Sequence, residues 1–350
     1  MSLALIRGRG VAGLVAARRL ARAGWSVVLA GPPHRSDRIV TLDPSVVDLL
    51  ALELGREVLA AVAPAPIAVR ELAWSPGPPE TVPGELVAVP LRSLTAAMEE
   101  RLPPGITVVE TPPERSFDEV LDATGRGRSA RLRSGARTAW GWTVPLSGPV
   151  GRAVLEAHLE GWVFVAPAGA QVSVQVVLPG DGGHELAREL ARRTLAGRGW
   201  FATLERLAAA PPVACDATPA FGDPIAPCGA ILVGDAACAE DPLSGSGVGR
   251  AVRGAVLGAA VATAAPGDRA AVRRHYLTRL ALAHAAHLEG AADFYARSRC
   301  AAAFAPAVAA MRDHARHLRR EVAAPAILQL DASHRDARLV PRPVRIAASS

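Results

Sequence analysis

The residues in this 350-residue chain with the clearest chemical use are glycines and acids set side by side in short segments. The run from Leu3 to Gly31 carries Gly8-x-Gly10-x-x-Gly13 between two apolar stretches, in the order strand, turn, helix, strand. Gly8 suits a tight turn, Gly10 lets the backbone approach a pyrophosphate, and Gly13 lets the helix sit close on the strand. The free N–H groups at the helix start favour an anion, so the segment reads as a dinucleotide-binding βαβ unit. Its usual companion is an acid ending the second strand, which accepts hydrogen bonds from the adenosine ribose hydroxyls. Here that strand ends Ala30-Gly31-Pro32-Pro33, with no acid before Asp37. The gap predicts weakened dinucleotide binding, which a glutamate at Gly31 is expected to restore on an ordinary strand.

Three more segments repeat the pairing of acid and glycine. In Val120-Leu-Asp122-Ala-Thr-Gly125 a strand ends in a carboxylate and breaks at small residues. In Ala230-Ile-Leu-Val-Gly234-Asp235 a buried strand delivers an acid to a glycine turn, where it can accept from the hydroxyls of a ribityl chain. Asp241-Pro242-Leu-Ser-Gly245-Ser-Gly247 opens a long helix, whose N-terminal N–H groups favour a ligand that becomes anionic.

The intervening chain must position these segments. Pro44 to about Val62 reads as one helix, Ile67–Trp74 and Leu86–Val89 as strands, and a helix runs from near Arg92 to Leu102. Ile106–Val109 and Val120–Leu121 read as strands returning to the first sheet. Residues 136–180 are β-rich, with Thr138–Val144, Trp162–Ala166 and Val172–Leu178 as strands. Helices follow at about 184–194 and 201–209, then a strand near Pro212–Thr218. From Gly247 to about Val322 the pattern is mostly helical, and the tail from Pro325, with Arg335, Arg338, Arg342 and Arg345, reads as loop.

Composition narrows the class. Half of the residues are apolar, but no run approaches the roughly 20 needed to span a membrane, and no secretory signal fits the first residues. Cys215, Cys228, Cys238 and Cys300 form no CxxC pair, which suits a reducing cytoplasm and no structural zinc. The 39 basic residues are all arginine, and the net charge of +6 is spread along the chain, which argues against a nucleic-acid partner. Without lysine there is no Walker A motif and no Schiff-base chemistry. His284 with His287, and His314 with His317, are spaced three apart and read as solvated helix faces, with no metal assigned. Trp140, Trp142 and Trp162 read as core or sheet surface.

Taken together and in this order, the first glycine turn and the three glycine–acid segments resemble the flavoprotein monooxygenases of the para-hydroxybenzoate hydroxylase fold. Within them, the chain resembles the branch of tryptophan halogenases and of hydroxylases that mature quinone cofactors on tryptophan. Asp241-Pro-Leu-Ser-Gly-Ser-Gly247 is similar to that branch's loop under the flavin, and Gly161-Trp162-Val-Phe164-Val-Ala-Pro167 to its Trp-x-Trp-x-x-Pro segment, with Phe164 at the second Trp. Asp293-Phe-Tyr295 with Phe304 resembles its C-terminal helical signature, and Val89-Pro-Leu-Arg92 the arginine that contacts FAD.

The resemblance implies an α/β protein with a Rossmann-like, discontinuous FAD domain of the GR2 type (1–65, 90–135 and 222–265). A β-sheet substrate domain (66–89 and 136–221), C-terminal helices (266–325) and a tail (326–350) complete it. It implies FAD held by Gly8, Gly10, Gly13, Arg92, Asp122, Gly125, Gly234, Asp235, Pro242, Gly245 and Gly247. His34, Asp241 and Trp162 are catalytic candidates by proximity only. The implied activity is hydroxylation of an indole or phenol, free or as peptide-bound tryptophan, with electrons from NAD(P)H or from a separate flavin reductase. Halogenation in that branch passes hypohalous acid to a lysine, which this chain lacks. The alternatives are a flavin-dependent dehydrogenase or reductase of the same fold, and a non-catalytic binding partner derived from such a flavoprotein.

Overall fold

A computed structural model describes residues 2–126, 130–223 and 229–322, and the backbone of 328–331 and 338–341. Five parallel strands form the first sheet, in the order Ile231–Leu232, Glu119–Asp122, Leu3–Arg9, Ser26–Pro33, Ile106–Val109. Leu5 lies between Val120 on one side and Val28 on the other, so the strand that enters the glycine turn is central. Such a sheet is covered on both faces, which is why its strands read as unbroken apolar runs. The helix Val11–Arg22 crosses over it with Leu14, Val15 and Leu20 buried, and its Arg19 pairs with the buried Glu53 of the next helix.

The single helix expected from Pro44 to Val62 is two. Asp43 caps Pro44–Leu54 by accepting from the Val46 N–H at 3.0 Å, and the helix stops at Gly55, whose φ of +96° is left-handed, before Arg56–Ala61 resumes. A side chain at Gly55 would also strike the Glu57 carboxylate. Apolar spacing continues across the break, so periodicity alone does not show it.

The second sheet has eight strands, in the order Val213–Asp216, Arg137–Pro145, Gln171–Pro179, Trp162–Ala168, Arg152–Ala157, Ala65–Ala73, Glu80–Pro90, Ile39–Leu42. All neighbours are antiparallel except Arg152–Ala157 with Ala65–Ala73. Arg152–Ala157 and Ile39–Leu42 have no period-two pattern and are absent from the sequence reading. Ile39–Leu42 edges this sheet, although sequence order puts it among the nucleotide segments. Helices His184–Ala196 and Phe201–Ala209 cover one face through Leu190, Leu195 and Leu207 on Val163, Val174 and Val176.

Ala130–Arg133, Ala220–Gly222 and Cys238–Ala239 make a small third sheet, also unforeseen. The C-terminal helices Gly247–Ala262, Arg269–Ala296 and Ala301–Glu321 join the first sheet in one apolar core. Trp74, just past the strand Ala65–Ala73, stacks on Phe294 at 4.6 Å and ties the helices to the second sheet, while Tyr295 on Phe304 at 4.4 Å joins the last two helices. Past them, Leu328–Asp331 pairs antiparallel with Arg338–Pro341, where the sequence reads as loop. Cys228, Arg335, Arg342 and Arg345 lie outside the described residues. Among the described residues no helix is long and apolar enough to cross a membrane, and no cluster of three or more His, Cys, Asp or Glu could hold a metal.

Candidate functional site

The carboxyl ends of the parallel strands open into a cavity of about 620 Å³, within the usual size of small-molecule sites. The glycine turn and strand end form one wall, and Phe164 and Gln175 face it from the second sheet. This is where open parallel sheets bind ligands.

Gly8 and Gly13 have the tight turn and the close helix contact that their spacing predicts. Gly8 has φ +103°, and a Cβ there would meet the Ala123 carbonyl oxygen at 2.3 Å. At Gly13 it would meet the Gly8 carbonyl oxygen at 1.9 Å, so helix and strand touch there. At Gly10, Gly125 and Gly247 a Cβ would meet nothing within 4 Å. Gly10 and Gly247 stand at the amino ends of helices, and the three leave bare backbone facing the cavity. Gly234 (φ +62°) and Gly245 (φ +63°) make the other two turns in left-handed backbone.

Each acid has a definite partner. Asp122 turns back on its own loop, its Oδ1 accepting from the Thr124 N–H at 2.9 Å and the Thr124 hydroxyl at 2.6 Å. Asp235 lines the cavity and is 40% exposed, with one oxygen 3.3 Å from Arg126. Arg126, which sequence reasoning missed, also donates to the carbonyls of Glu240 (2.7 Å), Thr218 (3.2 Å) and Asp216 (3.1 Å), and so joins three loops.

The 241–247 loop rests on a buried polar network. Asp241 pairs with Arg137, both side chains having no exposure, and accepts from the Leu243 N–H at 2.9 Å. The Tyr295 hydroxyl donates to the Asp241 carboxylate at 3.2 Å and accepts from Trp162 Nε1 at 2.9 Å. The side chains of Asp241 and Trp162 are thus tied into a buried network beneath the loop, at a place where Asp241 also lines the cavity. The phenol of Tyr295 is held far on its neutral side by burial first and by Asp241 second. Glu240 pairs with Arg250 and accepts from the Ser246 hydroxyl.

His284 and His287 are buried in this network, against the expectation of a solvated face. Strand Cys238–Ala239 and the loop after it cover that side of their helix. His284 Nδ1 lies 3.2 Å from Cys238 Sγ, and His287 Nε2 accepts from the Asp241 N–H at 3.0 Å. Burial lowers both pKa values, and for His287 it outweighs the opposing pull of Glu240 and Asp241; Arg250 and Arg137 add to the lowering. A histidine whose folded pKa lies below its unfolded value contributes stability that is present above the unfolded value, near 6.5, and is lost as pH falls from there through the folded value. The urea midpoint is expected to fall on acidification below about pH 6.5, and less so in His287→Gln; equal slopes would contradict this. His314 and His317 differ from that pair: the first is half-buried, 2.7 Å from the Ser134 hydroxyl, and the second is 51% exposed beside Glu321.

His34 is half-buried at the cavity wall, its Nε2 without a hydrogen-bond partner among the described residues, and burial with Arg38 and Arg92 lowers its pKa. Arg92 lies beyond this cavity, 55% exposed and 3.1 Å from Asp37, on an adjoining cleft. Gly31 has φ +136°, so a glutamate there would be strained. Restoring the acid at that position is not open to this backbone.

No family model matches the sequence, and no curated protein is similar to it at sequence level. Solved structures are similar in shape. Peptidyl tryptophan dihydroxylase QhpG, described as essential for tryptophylquinone cofactor biogenesis, superposes with a TM-score of 0.72 at 20% identity, over 88% of this chain and 78% of that one. CmlS, a flavin-dependent halogenase, gives 0.69 at 20% identity over 92% and 70%. Klebsiella pneumoniae HpxO, solved with FAD and uric acid, gives 0.63 at 17% identity over 91% and 93%. The chain has the Rossmann-type fold of these flavoproteins. That fold is the one the order of the glycine–acid segments implies, and the cavity lies where its strand ends and glycine turns converge.

Proposed function

We propose that the chain is an FAD-dependent monooxygenase that hydroxylates an aromatic ring, an indole or a phenol, free or as peptide-bound tryptophan. The observation that carries this is the convergence of three glycine turns and Asp235 on one cavity, closed by Phe164 and Gln175 of the second sheet. Bare backbone at Gly10, Gly125 and Gly247 is a cradle that any side chain would fill, which fits a large flat ligand with a pyrophosphate. Gly8, Gly10 and Gly13 would hold the pyrophosphate, Asp235 the ribityl hydroxyls, and Pro242, Gly245 and Gly247 the ring system. Gly125 and Gly234 would keep the walls thin, while Asp122 would fix its turn and Arg92 would serve the cleft beyond.

When bound, FAD supplies the reaction with dioxygen. The chain's part is to bind, orient and exclude water, and the dipole of the helix from Gly247 favours negative charge at the ring. His34 at the cavity wall, whose Nε2 has no partner among the described residues, is the candidate for holding a proton there. The tryptophan assignment draws on the Trp162 segment and on the activity of QhpG. Electrons would come from NAD(P)H or a flavin reductase, and the setting would be cytoplasmic. The division into FAD and substrate domains belongs to the same proposal, with Ile39–Leu42 joining the substrate sheet.

With FAD, a reductant and oxygen-18 gas, the hydroxylated product should carry the label, and added chloride or bromide should not change it. A halogenated product would refute this reading, and turnover without label would favour a dehydrogenase.

A further inference from the structure

The end of strand Ser26–Pro33 offers no carboxylate to an adenosine ribose, and Gly31 cannot take one. Arg9, between Gly8 and Gly10, lies across this strand end. Its Nη1 donates to the Gly31 carbonyl at 3.2 Å, and its Nε and Nη2 form a two-pronged pair with Glu99, the Nε contact being 3.1 Å. A guanidinium is planar and rigid, so the Glu99 carboxylate is held one guanidinium away from the place where the missing acid would sit.

Glu99 closes the helix Leu91–Glu99, whose inner face is fixed by buried Leu94 and Met98. Its side chain is 28% exposed and lines a cleft of about 800 Å³ that shares Arg9, Pro33, His34, Arg35 and Thr95 with the main cavity. The two run together past the glycine turn, and the second has room for an adenosine. Arg9 occupies one acceptor site on each Glu99 oxygen and leaves the others open.

We infer that Glu99, oriented by Arg9, replaces the strand-end acid and accepts hydrogen bonds from the adenosine ribose hydroxyls of the bound dinucleotide. The inference rests on the dinucleotide reading of the site. A rival ligand at this spot is a ribose 2′-phosphate, which arginines accept where the acid is missing. Of the arginines that line the cleft, Arg9 is paired with Glu99 and Arg92 with Asp37, while Arg35 also lines it, so the 2′-phosphorylated nucleotide is the arm of the test that separates a carboxylate from a cation at the ribose.

The test is calorimetric titration of the full chain and of Glu99→Gln with ADP, 2′-deoxy-ADP, 2′-phosphorylated ADP, FAD and FMN. Wild type should bind ADP about tenfold more tightly than 2′-deoxy-ADP, the scale of one hydrogen bond to a charged group. Glu99→Gln should weaken ADP and FAD by about tenfold, shrink the difference between ADP and 2′-deoxy-ADP, and leave FMN unchanged. The wild-type comparison needs no variant, so a folding defect in Glu99→Gln cannot produce the result. Equal binding of ADP and 2′-deoxy-ADP would overturn the inference, as would tighter binding of the 2′-phosphorylated nucleotide. Failure of wild type to bind either ADP or FAD would instead overturn the dinucleotide reading and this inference with it.

Discussion

Asp241→Ala is expected to lower the unfolding free energy by about 3–5 kcal/mol, the cost of leaving one member of a buried ion pair alone. Arg137 has no exposure and lies over the rings of Tyr295 and Phe304, with centroid distances of 5.4 and 5.8 Å. Removing Asp241 leaves that cation, among the described residues, with the carbonyls of Gly135 and Ser134 to receive it. The Tyr295 hydroxyl loses its acceptor in the same step. Because replacing both members of such a pair by apolar groups is often neutral, Arg137→Met in the Asp241→Ala background should recover much of the loss. Urea unfolding followed by circular dichroism measures both. A loss under 1 kcal/mol for the single variant would mean that water reaches Arg137.

Asp235→Ala should do the opposite: the fold stays and the ligand goes. The carboxylate is 40% exposed, its pair with Arg126 is long, and Arg126 retains three backbone carbonyls without it. What is lost is one or two charge-assisted hydrogen bonds to the ribityl chain, each worth about 1.5–3 kcal/mol. FAD affinity is expected to fall at least tenfold while the unfolding midpoint stays within experimental error. A collapsed circular dichroism spectrum would make Asp235 a structural residue.

The contrast between these acids shows where sequence reading works and where it stops. Gly8, Gly234 and Gly245 are legible because each meets a local demand, a left-handed turn that at Gly8 and Gly234 also lies beside a close approach, and local demands leave fixed spacings. The strand ends carrying Asp122 and Asp235 are legible for the same reason. Asp241 looks equivalent in sequence, yet its partners Arg137 and Tyr295 are 104 and 54 residues away, and no spacing records them. His287 was misread because a helix enclosed on several sides loses the apolar stripe that separates inside from outside. Arg126 stands beside a recognised motif but acts through carbonyls of two distant loops. Glu99 carries no mark at all, since its place beside Gly31 exists only once Arg9 bridges helix and strand.

This fold is expected to hold FAD in the cavity between the parallel strand ends and the second sheet, and equilibrium titration of the purified chain with FAD decides it. The predicted result is saturable uptake of one FAD per chain, with a change in flavin fluorescence and a yellow protein that keeps its colour through gel filtration. A chain that stays colourless and leaves flavin fluorescence unchanged at every concentration would contradict the account.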